Sequence, residues 1–348
     1  MRATVLHAPG DIRLEEVPEP TIMAPTDAIV RVTAACICGS DLWPYRGASP
    51  VTEPRRIGHE LIGVVEAVGP GVSTMLPGTT VISPFTYSDS TCAHCRAGVQ
   101  SACEHGGYFG ANDRDGHLVD GCQGELVRLP LADGTLVPVR GEVTDDNLAS
   151  LLTLSDVMGT GWHAAVSAGV SDGMTVAVVG DGAVGLCGVL AARELGAARI
   201  VALSRHEARQ QIATRFGATD IVAERGDEAT ERLLYLTDGV GADAVLECVG
   251  TAQSMETAFA IARPGSVVGF VGVPHGGEPP VERMFRKNIG LRGGMAPVRR
   301  YLPHLVPQVL DGRIEPGLVF DSVLPLDEVA EGYRQMDERR AIKVLLRP

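Results

Sequence analysis

Between residues 175 and 273 the chain alternates short apolar runs with stretches of helix length, and this alternation limits the fold more than any other feature. Thr175-Val176-Ala177-Val178-Val179 is fully apolar, as a strand buried on both faces must be. It leads through Gly180-Asp181-Gly182-Ala183-Val184-Gly185 into an Ala- and Leu-rich helix expected to end near Leu195. A strand over 199–203, a helix over 206–216, a strand over 220–222 and a helix over 228–236 follow. The series then runs through 243–247, 253–262 and 266–271. Strands and helices at this spacing need crossover connections, which are right-handed, so the segment predicts a parallel, doubly wound α/β sheet of the Rossmann kind. The run 266–273 is placed at the sheet edge, where it would leave exposed backbone pairing groups if unpaired.

The glycine-rich turn fits G-x-G-x-x-G in the context that dinucleotide binding requires, after a buried strand and at the start of a helix. Gly180 permits the sharp turn, Gly182 lets the backbone approach a pyrophosphate, and Gly185 allows close helix–strand packing. Free N–H groups and the helix dipole at Ala183 and Val184 favour the anion. An NAD reader usually places Asp or Glu about 20 residues onward, to hold the adenosine ribose. Here Ser204-Arg205-His206 occupies that place, with no carboxylate until Glu207. Ser204 can donate a hydrogen bond and Arg205 offers paired donors and positive charge, which favours NADP over NAD.

The first 150 residues have a different texture, with short apolar runs such as Ala28-Ile29-Val30-Arg31-Val32 and Thr80-Val81-Ile82 punctuated by Pro-Gly and Gly-Pro turns. The expected organisation is a β-rich domain over 1–152, a dinucleotide domain over 153–291 inserted into it, and a return over 292–348. Forty-two glycines, set singly or in pairs between apolar runs, agree with many tight turns. With 30 basic and 43 acidic residues the net charge is −13, and no basic block stands out, which argues against nucleic acid as a partner. The first residues reach Pro9-Gly10 before a signal-peptide core could form, and no apolar stretch approaches membrane-spanning length; a cytoplasmic location is expected.

The eight cysteines are clustered rather than spread as a disulfide framework. Cys38-Gly39-Ser40-Asp41 and Gly58-His59-Glu60 flank a Pro-containing loop, and Cys92, Cys95 and Cys103 form a second group. Thiolate and imidazole are good zinc ligands, and a catalytic zinc site adds a third protein ligand with one position open. With these segments, Gly63-x-Val65-x-x-Val68-Gly69, the glycine fingerprint and the C-terminal return, the chain resembles the zinc-dependent medium-chain alcohol dehydrogenases nearly from end to end. In pattern it is most similar to NADP-using bacterial members.

The resemblance implies a GroES-like catalytic domain beside the Rossmann domain. It makes Cys38, His59 and Asp156 catalytic zinc ligands, with Glu60 an acid able to enter the metal sphere. Many relatives have Cys where Asp156 stands, and the exchange is chemically conservative. Ser40 matches the hydroxyl that passes the alcohol proton onward, and Thr160 matches the residue that packs beside the nicotinamide. The family's structural lobe has four cysteines; here the pattern is Asp89-x2-Cys92-x2-Cys95-x7-Cys103, and three thiolates with one carboxylate can still close a tetrahedral zinc site. His94 and His105 are rival fourth ligands outside that spacing. Many members carry a relay histidine where this chain has Trp43, which cannot move protons; Trp43 and Phe85 would instead form an apolar pocket wall.

The expected activity is hydride transfer between a primary or secondary alcohol and NADP, in a homodimer or homotetramer. A polyol or aminocyclitol substrate is a variant of that reading. Zinc-free quinone reductases share the two-domain plan without needing the ligand set, and a non-catalytic NADPH-binding protein could keep zinc for stability alone.

Overall fold

A computed structural model describes residues 1–348, and the chain divides into two compact units, Met1–Asp156 with Pro297–Pro348, and Val157–Ala296. In the second unit six strands make one parallel sheet: β1 Thr175–Val179, β2 Arg199–Leu203, β3 Asp220–Val222, β4 Ala242–Glu247, β5 Ala262–Phe270 and β6 Gly290–Gly293. Their order across the sheet is β3-β2-β1-β4-β5-β6. This is the doubly wound arrangement, with its switch point between β1 and β4, where ligands bind outside the strand ends. Val201, Val222, Val245, Val268 and Phe259 are buried between sheet and helices. Each such side chain contributes about 1.5–3 kcal/mol.

The run 266–273 is not at the sheet edge. Val267 to Phe270 pair with Gly290 to Gly293 of β6, and β3 and β6 form the two borders. The sixth strand carries one aliphatic residue, Leu291, between glycines, so it has no apolar run to announce it.

The first unit is built on a seven-stranded sheet that runs Val137–Pro138, Thr80–Ser83, Leu61–Val68, Ala28–Cys36, Val344–Arg347 and Ser322–Pro325, with Leu126–Leu129 also paired to Ala28–Cys36. The C-terminal strand therefore pairs antiparallel with a strand from the start of the chain, Leu345 opposite Cys36 and Leu346 opposite Ala35. Val344 and Leu346 pack with Leu6, Ile37 and Tyr333 on one side of this join. On another, Val30, Leu61, Val65, Val81 and Leu129 form a second core. The helix Asp145–Thr153 opens on a capping box in which the Thr144 N–H donates to Asn147 Oδ1 at 2.9 Å, and it leads the chain to Asp156. A helix over Val329–Asp337 buries Val329, Tyr333 and Met336, one turn apart. No helix is long and apolar enough to cross a membrane.

Candidate active site

Cys38 follows the strand Ala28–Cys36 and opens the short turn Gly39–Asp41. Its N–H donates to Asp41 Oδ2 at 3.0 Å, which fixes the loop and aims the thiol. Gly58 carries φ +97°, and a Cβ there would lie 2.4 Å from Gln123 Cγ, so only glycine lets the chain turn into His59 at this point. The Phe85 N–H donates to the Ser155 carbonyl at 3.0 Å, tying the segment before Asp156 to the same wall. Cys38, His59, Glu60 and Asp156 thus converge with their donor atoms within 4.8 Å of one another.

The spacing tests whether a metal fits. Zinc bonds of about 2.0–2.3 Å in a tetrahedron separate oxygen from nitrogen by about 3.3 Å and sulfur from oxygen by about 3.6 Å. His59 Nε2 lies 3.4 Å from Asp156 Oδ2, and Cys38 Sγ lies 3.6 Å from the same oxygen. Both distances match tetrahedral edges, and sulfur, imidazole and carboxylate form a zinc-type donor set. Electrostatics agree. Burial alone would lower the His59 pKa, yet Asp41 and Cys38, followed by the Asp156 and Asp41 hydrogen bonds, lift it well above the usual value.

Further contacts orient these side chains. Asp41 Oδ1 sits 3.3 Å from His59 Nδ1, leaving Nε2 to point inward. Asp41 Oδ2 also accepts from Gln123 Nε2 at 3.2 Å, and Tyr333 Oη donates to Gln123 Oε1 at 3.0 Å. Glu60 is fully buried and accepts from Lys343 Nζ at 2.7 Å through Oε1, while Oε2 has no hydrogen-bond partner. Lys343 Nζ also donates to the Ile37 carbonyl. Phe85 stands edge-on to His59, with ring centroids 6.2 Å apart. Ser40 lies half-buried in the turn beside Cys38, and Trp43 is half-buried in the helix Leu42–Tyr45.

Sequence reasoning assigned no role to Asp41, Gln123, Tyr333 or Lys343. For Lys343 the signal was present, a lone cation in the apolar run Ala341-Ile342-Lys343-Val344.

The second cluster also converges: Asp89, Cys92, Cys95 and Cys103 place their donor atoms within 4.8 Å of one another. Cys92 and Cys103 sulfurs are 3.9 Å apart, near the about 3.8 Å expected for two thiolates on one zinc. Cys92 caps the helix Ala93–Arg96. Asp89 Oδ1 accepts from the Thr91 and Cys92 N–H groups, and Oδ2 faces His105 Nδ1. Partial burial opposes its ionisation, but the Cys92 N–H, His105 and Thr91 N–H hold it far below the usual carboxylate value. His105 thus contacts the Asp89 carboxylate through Nδ1. His94 instead lies 3.5 Å from Glu104.

In the second unit Gly180 has φ +117° and turns the chain out of β1. A Cβ on Gly185 would lie 2.0 Å from the Gly180 carbonyl oxygen, while one on Gly182 would meet nothing within 4 Å. The turn is tight behind and open in front, as approach by a pyrophosphate requires. Ala183 and Val184 begin the helix Ala183–Glu194. Ser204 and Arg205 follow β2, and Asp181 reaches them from the fingerprint: Ser204 Oγ donates to Asp181 Oδ2 at 3.0 Å and the Arg205 N–H donates to the same oxygen at 3.3 Å. Thr160 is buried in the helix Val157–Ala168.

The alcohol dehydrogenase GroES-like domain matches residues 24–140, and the zinc-binding dehydrogenase domain matches residues 183–311. A probable zinc-binding alcohol dehydrogenase of Mycobacterium tuberculosis is 38% identical over 100% of this chain and 89% of its own. This chain belongs to the zinc-dependent medium-chain alcohol dehydrogenases. Among solved structures, the alcohol dehydrogenase TADH from Thermus sp. ATN1 superposes with a TM-score of 0.91 at 34% identity, covering 100% of this chain and 99% of that one. A putative zinc-binding dehydrogenase from Sinorhizobium meliloti, solved bound to NADP, has a TM-score of 0.82 at 26% identity, with 100% and 99% covered. As a zinc-type alcohol dehydrogenase the chain is an oxidoreductase of α/β fold, GroES-like in its first unit and Rossmann-like in its second.

Proposed function

We propose that this alcohol dehydrogenase interconverts small alcohols and their aldehydes or ketones with NADP as hydride carrier, and that it holds a catalytic zinc through Cys38, His59 and Asp156. The observation that carries the reading is the spacing of 3.4 and 3.6 Å around Asp156 Oδ2, which matches a tetrahedral donor set drawn from three distant segments. When bound, zinc supplies Lewis acidity to an alcohol or carbonyl oxygen, and the dinucleotide takes up or gives the hydride. Asp41 keeps His59 in the orientation that presents Nε2, and Gln123 and Tyr333 keep Asp41 in place. Glu60, tied to Lys343 by one oxygen, holds the other in reserve beside the ligands. Ser40 moves the proton of the reacting hydroxyl, and the edge-on Phe85, with Trp43, excludes water from an apolar substrate group. In the second unit Gly180, Gly182, Ala183, Val184 and Gly185 would hold the pyrophosphate, Thr160 would contact the nicotinamide, and Ser204 and Arg205 would favour the 2′-phosphate. Asp89, Cys92, Cys95 and Cys103 hold a second, structural zinc. Homo-oligomerisation and a cytoplasmic setting complete the reading.

The test is a metal count on purified protein paired with a substrate panel in both cofactors. Two zinc ions per chain, one for each cluster, and alcohol-dependent NADPH formation are expected. A metal-free protein with no turnover of any alcohol would overturn the proposal.

A further inference from the structure

The end of β2 lacks an acidic residue of its own, yet a carboxylate occupies that place. Asp181 lies between the first two glycines of the fingerprint, and its side chain crosses to β2. There Oδ2 takes hydrogen bonds from Ser204 Oγ and the Arg205 N–H, and Oδ1 takes one from Arg209 Nη1 at 3.1 Å. Ser204 is buried and is fixed in turn by Gln210, whose Nε2 donates to the Ser204 carbonyl at 2.7 Å. Partial burial opposes the charge on Asp181, but Arg209 and the Ser204 hydrogen bond keep its pKa below the usual value. A full negative charge therefore stands at the strand end that meets the adenosine ribose in this fold.

We infer that Asp181 sets the choice between NAD and NADP in this chain. The inference rests on the reading that the second unit binds a nicotinamide dinucleotide, and it holds whichever form the wild type prefers. A ribose 2′-hydroxyl is a donor, and a carboxylate accepts from it. A 2′-phosphate has only acceptors and carries up to two negative charges at neutral pH. It meets repulsion from Asp181 and finds the Ser204 hydroxyl and Arg205 N–H already engaged. Arg209 cancels part of that repulsion, so it acts as the counterweight that keeps NADP admissible. Asp181 thus does from the fingerprint what the acid at the end of β2 does in an NAD reader, and Arg209 tempers it.

The test is fluorescence titration of the full-length protein with NADPH and with NADH, in wild type, Asp181→Asn and Arg209→Met. Asp181→Asn keeps the shape and removes the charge. It should tighten NADPH binding about tenfold and weaken NADH binding a few-fold. Arg209→Met leaves Asp181 uncompensated and should weaken NADPH binding about tenfold while changing NADH binding less than threefold. Asp181→Ser serves if the amide variant does not fold, with the same shift expected. A NADPH-to-NADH Kd ratio that stays within twofold of wild type in a folded Asp181 variant overturns the inference. A wild type that prefers NADH, combined with a shifted ratio in the variant, upholds it and removes the NADP reading instead. Wild-type protein that binds neither dinucleotide overturns both.

Discussion

Two clusters of metal-type donors sit in the same unit, and they are assembled in opposite ways. Asp89, Cys92, Cys95 and Cys103 come from one short stretch, held by local turns, a helix cap and backbone N–H groups. Cys38, His59, Glu60 and Asp156 come from three segments, and Cys38 and Asp156 are 118 positions apart. The local cluster depends on its own loop. The dispersed cluster depends on the sheet, on the Gly58 turn and on the Phe85–Ser155 tie. Losing a donor from the first should cost stability and spare the chemistry; losing Cys38, His59 or Asp156 from the second should do the reverse.

The sharpest way to break that contrast is Asp156→Ala. Losing a ligand forfeits several kcal/mol of charge stabilisation, so turnover should fall on the order of a thousandfold and metal content should drop by one ion, with the melting temperature little changed. Steady-state kinetics and elemental analysis of the same sample check it. Lys343→Met comes next, because removing one partner of a buried ion pair costs about 3–5 kcal/mol. Chemical denaturation should show that loss, and Lys343→Arg should recover part of it. Cys95→Ser should release the second ion and lower the melting temperature by about 5–10 °C, while kcat stays within tenfold of wild type.

The smallest effect concerns the wall behind the local cluster. Ser88 and Ser90, on either side of Asp89, donate to the Gly134 carbonyl, and Asp133 in the helix Ala132–Thr135 anchors Ser73 and Thr74. Against partial burial, the hydrogen bonds from Thr74 and Ser73 hold the Asp133 pKa at about 2. A depressed carboxylate stabilises the fold fully above its unfolded value of about 3.9 and loses that contribution as pH falls through the folded value. The melting-temperature gap between wild type and Asp133→Ala should therefore be constant from pH 5 to about 7 and should shrink below about pH 4. A gap independent of pH down to about 2 would assign the effect to packing instead.

Much of the parallel sheet was legible because buried strands announce themselves: β1 and β2 fall where the apolar runs place them, and the half-buried border strand β3 follows from the spacing of the alternation. β6 was not, since Gly290-Leu291-Arg292-Gly293 has no such run and is recruited by its neighbour. The helix Val329–Asp337 was obscured by Gly332 and by charged residues, although Val329, Tyr333 and Met336 lie on one face. In the site, the residue types were readable, but the meeting of Cys38 with Asp156 rested on resemblance, because spacing over so long a loop has no local period. Asp181 was hidden for another reason. It sits inside a motif usually read for its glycines, and its carboxylate acts on a different strand.

The pairing of Glu60 with Lys343 spans 283 positions, and the whole second unit is written between them. During synthesis the nucleotide-type unit is therefore complete while the first unit still holds an acid with no counter-charge. That acid stays hydrated until the C-terminal strand pairs beside residues 35 and 36. The closing strand is thus the last piece in the order of translation to complete the charge balance around Glu60.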